Sequence, residues 1–411
     1  EYYLHLFSRK QPDLNWENPA VREAIYAMLR WWLARGVDGF RMDVINMISK
    51  RLPLQDGPTL PWGPYGDGSR EFICGPRIHE FLQELNREVI SGHGAPLLTV
   101  GETPGVTVDD ALMFTDPARG EMDMVFQFEH VQLDQGPGGK WDVQPLRLLD
   151  LKASFGRWQA GLAERGWNSL YWNNHDQPRA VSRFGSDGPA YRVLSAKLLG
   201  TILHLHRGTP YVYQGEELGM TNVPFASIED FRDIESVNHY RETVELGMDQ
   251  EQVLAALRHR SRDNARTPMH WDGGEHAGFS TGTPWMPVNP NNREINAAAQ
   301  KDDPDSVLSH YKKLIALRHE LPVVAHGSFQ MLLPNDENIY AFLRRLDDVE
   351  VLVVGNFSSD TVSAELPESQ EWSSAELVLS NYNDVPPAAA GRLELRPWES
   401  RVQKRVRGHA R

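Results

Sequence analysis

Along the first half of the chain, five short apolar runs, each ending in polar or charged residues, alternate with amphipathic helical stretches. The runs span residues 37–43, 95–102, 122–129, 167–176 and 208–217. A helical pattern over residues 19–33 leads into the first run, with Val21, Ile25, Met28, Leu29 and Trp32 at the spacing of one helical face. A second, over residues 78–89, aligns Ile78, Phe81, Leu82, Leu85 and Val89, and further patterns cover residues 146–163 and 190–206. Strand and helix alternating at this interval predict parallel pairing through crossover helices, an α/β architecture. In the first run Gly36 and Gly39 leave room for a close backbone neighbour, and Arg41 and Asp43, two apart, point to the same side of a strand.

The pattern changes after the fifth run. Residues 222–303 form a long polar excursion with a weak helix near residues 251–262 and a crowd of Pro, Gly, Trp and Asn over residues 267–296. Excursions of this length usually serve as lids or site walls. A helix over residues 306–318 closes the unit. Beyond Pro322 the period becomes that of strands, at residues 328–333, 339–346, 349–357, 376–380 and 391–397, which predicts a small antiparallel β domain. The expected division is 1–321 and 322–411. Five βα units fall short of the eight that close a barrel, and an open parallel set leaves edges unpaired. Spacing alone leaves two choices, a smaller open sheet or three further units ahead of residue 1. The opening residues Glu1-Tyr2-Tyr3 have neither a start methionine nor the order of a signal peptide, so the chain is expected to have lost its beginning.

A chain of 411 residues suits two or three domains. Its formal net charge of −14 argues against the basic face of a nucleic-acid binder. The single Cys74 excludes a disulfide framework and fits a reducing, cytoplasmic compartment. No apolar run is long enough to predict a membrane span.

Three acids stand at run ends: Asp43, Glu102 and Asp176. Cleaving a glycosidic bond takes two carboxyls, one at the anomeric carbon and one to protonate the leaving oxygen. Arg41 beside Asp43 would keep that carboxylate ionised. Glu102 follows an apolar stretch that would raise its pKa and keep a proton available. His175 offers a donor for sugar hydroxyls. Each has a plainer reading: Asp43 as a helix cap or in a structural ion pair with Arg41, Glu102 as a loop carboxylate, His175 as a core histidine. Their common place at strand ends, where barrel enzymes build their sites, favours the chemical reading.

Gly39-Phe40-Arg41-Met42-Asp43, Val100-Gly101-Glu102 and Asn173-Asn174-His175-Asp176 resemble, in order and spacing, three signature stretches of the α-amylase family, glycoside hydrolase family 13. Asn15-Trp16, Gly139-Lys140-Trp141-Asp142-Val143, Tyr213-Gln214-Gly215-Glu216-Glu217 and Arg262-Asp263-Asn264-Ala265-Arg266-Thr267-Pro268-Met269 are similar to its oligo-1,6-glucosidase and α-glucosidase branch. The resemblance implies a (β/α)8 TIM barrel, here strands four to eight, followed by a C-terminal antiparallel β-sandwich. It implies Asp43 as nucleophile, Glu102 as general acid/base and Asp176 as transition-state stabiliser. Arg41 and His175 would grip the sugar, joined by Arg262 and Arg266, with Glu235 at the entrance to the next subsite. Val44, following the nucleophile, resembles the residue of enzymes that act on α-1,6 bonds; its plainer reading is a packed strand end. The implied reaction is retaining release of glucose from short oligosaccharides, with α-1,4 hydrolysis, sucrose isomerisation, a non-catalytic transporter subunit and an inactive fragment as alternatives. No cofactor is implied, although a structural calcium or magnesium ion would belong to the N-terminal part of such folds. The partner would be a small oligosaccharide and the protein a monomer. The family's first signature and its inserted domain are absent, and Thr103 stands where close relatives often carry Met.

Overall fold

The computed structural model describes residues 2–59, 66–367, 372, 374–385 and 393–407. The chain divides into two compact units, Glu1–His130 with Arg157–Ser169, and Val131–Gly156 with Leu170–Arg411.

In the first unit, helix α1 (Pro19–Leu33) starts where Asn18 accepts a hydrogen bond from the Ala20 N–H at 3.0 Å and Pro19 occupies the first turn. The helix matches the expected span, but its buried stripe is Arg22, Tyr26, Leu29 and Leu33. Met28 and Trp32, expected on the inner face, are exposed. Arg22 goes inward because its polar end is satisfied there: Nη1 donates to the Trp16 carbonyl at 2.8 Å and Nε to Glu84 at 3.0 Å.

Strands β1 (Gly39–Met42), β2 (Leu98–Glu102) and β3 (Met124–Phe126) form a parallel sheet in the order β1-β2-β3. Helices Ile78–Leu85 and Val108–Thr115 lie between them in sequence, the second opened by a reciprocal Thr107–Asp110 capping box. Gly39 faces Leu98, whose carbonyl oxygen would lie 1.9 Å from any added Cβ, so only glycine allows this pairing. Gly36 differs from the expectation. Nothing lies within 4 Å of its Cβ position, and its φ of 91° is what requires glycine. Trp16, Tyr26, Leu29, Phe81, Leu85 and Val89 pack together in the unit's interior with Val37, Phe40 and Met42 against them.

The fourth and fifth runs yield only two-residue strands, Ser169–Leu170 and Thr209–Pro210. The Asn-Asn-His-Asp end of one run forms turns, and Pro210 lacks the N–H that a longer ladder needs. Tyr171 and Trp172 are fully buried, as core residues. The excursion is more ordered than its polarity suggested. It carries helices Ile234–Glu245 and Gln250–Arg260, and an apolar cluster of Val223, Phe225, Phe231, Val253, Leu254, Leu257 and Met286. The first of these helices fully buries only Ser236, with Tyr240 and Val244 partly buried against that cluster.

At the C-terminal end five antiparallel strands pair in the order Glu376–Ser380, Ser400–Val406, Val349–Asn356, Ile339–Leu346 and Ser328–Leu332. A two-stranded sheet pairs Val362–Ala364 with Leu393–Leu395, and Leu343, Leu352, Val354, Trp372 and Leu395 are among the residues packed in the core of this region. Residues 391 and 392 of the expected last strand lie outside the described residues. In this region two described strands were not expected, Val362–Ala364 and Ser400–Val406. The latter carries charges whose partners are elsewhere: Arg405 donates to Glu350 at 2.6 Å and Arg401 to Glu399 at 2.8 Å. Buried Lys152 donates to the carbonyls of Leu333, Asp336 and Ile339, the last two at 2.8 and 2.9 Å. Among the described residues no helix is long and apolar enough to cross a membrane.

Candidate active site

The parallel register sets the candidates of the first unit. Met42 pairs with Gly101, which places Asp43 and Glu102 at the same end of neighbouring strands. Arg41 reaches both: one guanidinium nitrogen bonds Asp43 and the other lies 2.6 Å from Glu102 Oε1. The sequence suggested an Arg41–Asp43 pair alone; the structure makes Arg41 a bridge between two carboxyls. The Asp43 side chain is 71% exposed and that of Glu102 only 6%, so the two differ chiefly in access to water.

That difference appears in the protonation of Glu102. Burial raises its pKa above the ordinary value, and the Asp43 charge adds to the rise. Arg41 and the Val44 N–H oppose it without cancelling it. A carboxyl that holds its proton longer than usual beside one open to solvent is the pattern of an acid next to a nucleophile.

Val44 contributes through its backbone. Its φ of 36° and ψ of 38° put a β-branched residue in the left-handed region, an outlier for valine. In that conformation its N–H donates to Glu102 Oε2 at 3.2 Å. The side chain is half-buried, so both the packing and the specificity readings of Val44 stay compatible with its place.

The remaining candidates form a charged network in the second unit. Arg266 bonds Asp176 directly and also donates to the His175 carbonyl at 2.8 Å. Arg262 Nη1 lies 3.6 Å from Asp176, and His175 Nε2 is 3.6 Å from the same carboxylate. His175 is half exposed, which sets aside its reading as a core histidine. Glu235 accepts from Lys140 at 2.5 Å and lies 3.3 Å from Arg262.

Asp233 is the residue that sequence reasoning missed. It binds Arg262 through both oxygens, at 2.5 and 2.8 Å, and lies 3.7 Å from Arg266. Burial alone would raise its pKa, but Arg262 holds it below the ordinary value, and the pairing raises that of Arg262. Its local role, capping helix Ile234–Glu245 through the Glu235 N–H, was the only signal available in the sequence. No group of three or more His, Cys, Asp or Glu side chains suited to a metal ion occurs among the described residues.

Comparison with known proteins now fixes the class. Residues 1–327 match the α-amylase catalytic domain and residues 339–402 the C-terminal domain of the α-amylase SusG. The chain is 56% identical over 405 residues to an oligo-1,6-glucosidase of Parageobacillus thermoglucosidasius, covering 98% of this chain and 72% of that protein. A Bacillus cereus oligo-1,6-glucosidase is 52% identical with the same coverage. Among solved structures, trehalose-6-phosphate hydrolase of Bacillus licheniformis superposes with a TM-score of 0.91 at 45% identity, covering 99% of this chain and 72% of that one. Isomaltulose synthase of Klebsiella sp. LX3 gives 0.91 at 39%, covering 98% and 71%. The protein is thus an enzyme of the glycoside hydrolase class, with the TIM-barrel and C-terminal β-domain architecture of these neighbours. It belongs to the α-amylase family.

Proposed function

We propose that the chain releases glucose from α-1,6-linked short oligosaccharides such as isomaltose, by double displacement with retention. The observation that carries this reading is the Asp43–Glu102 pair, bridged by Arg41 and unequal in exposure. Asp43 attacks the anomeric carbon while Glu102 protonates the departing oxygen; Glu102 then takes a proton from the water that frees glucose. Double displacement needs carboxyls about 5–5.5 Å apart, whereas inversion needs roughly 6.5–9.5 Å to admit a water. Two carboxyls at the same end of paired neighbouring strands and sharing one guanidinium support the shorter separation.

Asp176 is assigned to charge stabilisation as the sugar develops oxocarbenium character. Arg41, His175, Arg262 and Arg266 hold the glucosyl unit and Glu235 meets the leaving sugar. The relatives named oligo-1,6-glucosidase support the α-1,6 preference, as does Val44. No cofactor takes part, and the enzyme acts as a cytoplasmic monomer on small sugars. The likeness to an isomaltulose synthase supports a second reading, sucrose isomerisation with the same acids.

The test is the anomer formed first. Proton NMR of isomaltose hydrolysis is expected to show α-glucose before mutarotation, and β-glucose would overturn the mechanism. Initial rates on isomaltose, maltose and sucrose, with product analysis for isomaltulose, separate the substrate readings.

A further inference from the structure

Behind the Asn173–Asp176 turn the second unit encloses a small cavity, with about 10 Å³ open to the centre of a water molecule. Asn173, Arg179, Leu199, Glu216, Met220 and Tyr311 are among the residues that line it. The polar ones are at least nine-tenths buried. Tyr311 Oη donates to Glu216 Oε1 at 2.8 Å. Glu216 Oε2 and both amide atoms of Asn173 have no hydrogen-bond partner among the described residues. Arg179, on the same lining, bonds neither of them and donates instead to the Gln214 carbonyl at 2.6 Å, the Asn264 carbonyl at 3.0 Å and Thr267 Oγ1 at 3.3 Å. Buried polar atoms are almost always satisfied, and a space this size, lined by such atoms, suits one water.

We propose that Glu216 and Asn173 hold one internal water molecule between them, and that this bridge, with Glu216 neutral, positions the turn that carries His175 and Asp176. The Glu216 Oε2–H donates to the water, and the water donates to Asn173 Oδ1, so both side chains gain a partner without a buried charge. The positioning role rests on the assignment of Asp176 to the catalytic site; the water itself does not.

The electrostatics agree with the geometry. Burial raises the Glu216 pKa to about 8, with Glu217 adding to the rise, while the Tyr311 hydroxyl, the Tyr213 amide and Arg179 oppose it. The charged and titratable groups on the surrounding elements are Arg179 ahead of helix Ala180–Phe184, Arg192 and His204 on helix Arg192–His204, Tyr311 on helix Val307–Glu320, and Glu217 beside Glu216. Burial keeps His204 neutral, with a pKa lowered to about 4, and Arg192 donates to the Gly219 carbonyl at 3.2 Å. Among the described residues no guanidinium forms an ion pair with Glu216. Because its folded pKa lies above the unfolded value of 4.5, the proton contributes stability that is complete below pH 4.5 and lost as pH rises through about 8.

The experiment combines a high-resolution crystal structure with pH profiles of E216Q and E216L. Density is expected for one water bridging Glu216 Oε2 and Asn173. E216Q, a permanent mimic of the protonated carboxyl, is expected to keep kcat within about twofold near pH 6.5 and to remove a decline centred near pH 8. E216L should lose about tenfold or more in kcat with KM little changed, or fail to fold. A Glu216 Oε2 in direct contact with protein and no water, or an unchanged alkaline midpoint in E216Q, would overturn the proposal. The melting temperature of wild type and E216Q between pH 5 and 9 requires no substrate. If the enzyme proves inactive on every sugar, the bridge still stands or falls on that comparison and on the density.

Discussion

Two charged centres in this molecule are built on opposite principles. In the first unit, two carboxyls share a single guanidinium, so negative charge is in excess, and burial falls on Glu102 alone. In the second, Asp176, Asp233 and Glu235 meet Arg262, Arg266 and Lys140, acid for base. The pKa directions follow: Glu102 is raised, Asp233 is lowered and Arg262 is raised. A carboxyl with a raised pKa is suited to holding and giving a proton, whereas matched acids and bases present a fixed field. In the proposed mechanism the same residue types give proton transfer in one place and orientation in the other.

The contrast breaks most visibly at the pair. D43N should reduce kcat at least about 10⁴-fold, as removing a nucleophile does. E102Q should cost about 10²–10⁴-fold on isomaltose and much less on an aryl glucoside whose leaving group needs no proton. Equal losses on both substrates would remove Glu102 from the acid role. The pH dependence of stability sharpens the point. Since Glu102 has a folded pKa above its ordinary 4.5, it stabilises the protein below that value and the contribution fades as pH climbs through the raised one. Chemical denaturation of E102Q from pH 4 to 8 should therefore show a flatter profile than wild type.

In the balanced network the largest effect should be on stability. D233A strips both arginines of a buried partner and should cost about 3 kcal/mol, read as a lower denaturation midpoint with unchanged slope. A loss confined to KM, with stability intact, would mean the network is held by Glu235 instead.

These outcomes also mark how far the sequence could be read. Asp43 and Glu102 were legible because each ends an apolar run, and strand ends are where barrel sites lie. Asp233 was not, since its arginine partner is 29 residues away and its neighbourhood reads as an ordinary helix cap. The strand Ser400–Val406 was hidden for the same reason, its Arg405 being matched by Glu350 fifty-five residues earlier. Local pattern reveals elements and their ends; compensation between distant charges appears only once the chain is folded. The inner stripe of α1 shows this too, with Arg22 chosen over Met28 because a carbonyl and a carboxylate waited for it.

The smallest effect is expected at Val44. V44G relieves the left-handed backbone and should leave stability equal or higher by about 1 kcal/mol, while lowering the isomaltose-to-maltose rate ratio. A marked loss of stability would show that the side chain, rather than the backbone turn, is what the pair relies on.

Lys152 carries a consequence for dissection of the chain. Its ammonium is coordinated by three main-chain oxygens that belong to the entry of the C-terminal strands, and burial lowers its pKa to about 8. A chain cut after residue 327 would leave that buried ammonium without the three carbonyls that accept its protons. The terminal strands are thus a structural co-factor for the helix that bears Lys152, and expressing either without the other should yield aggregate instead of a smaller working enzyme.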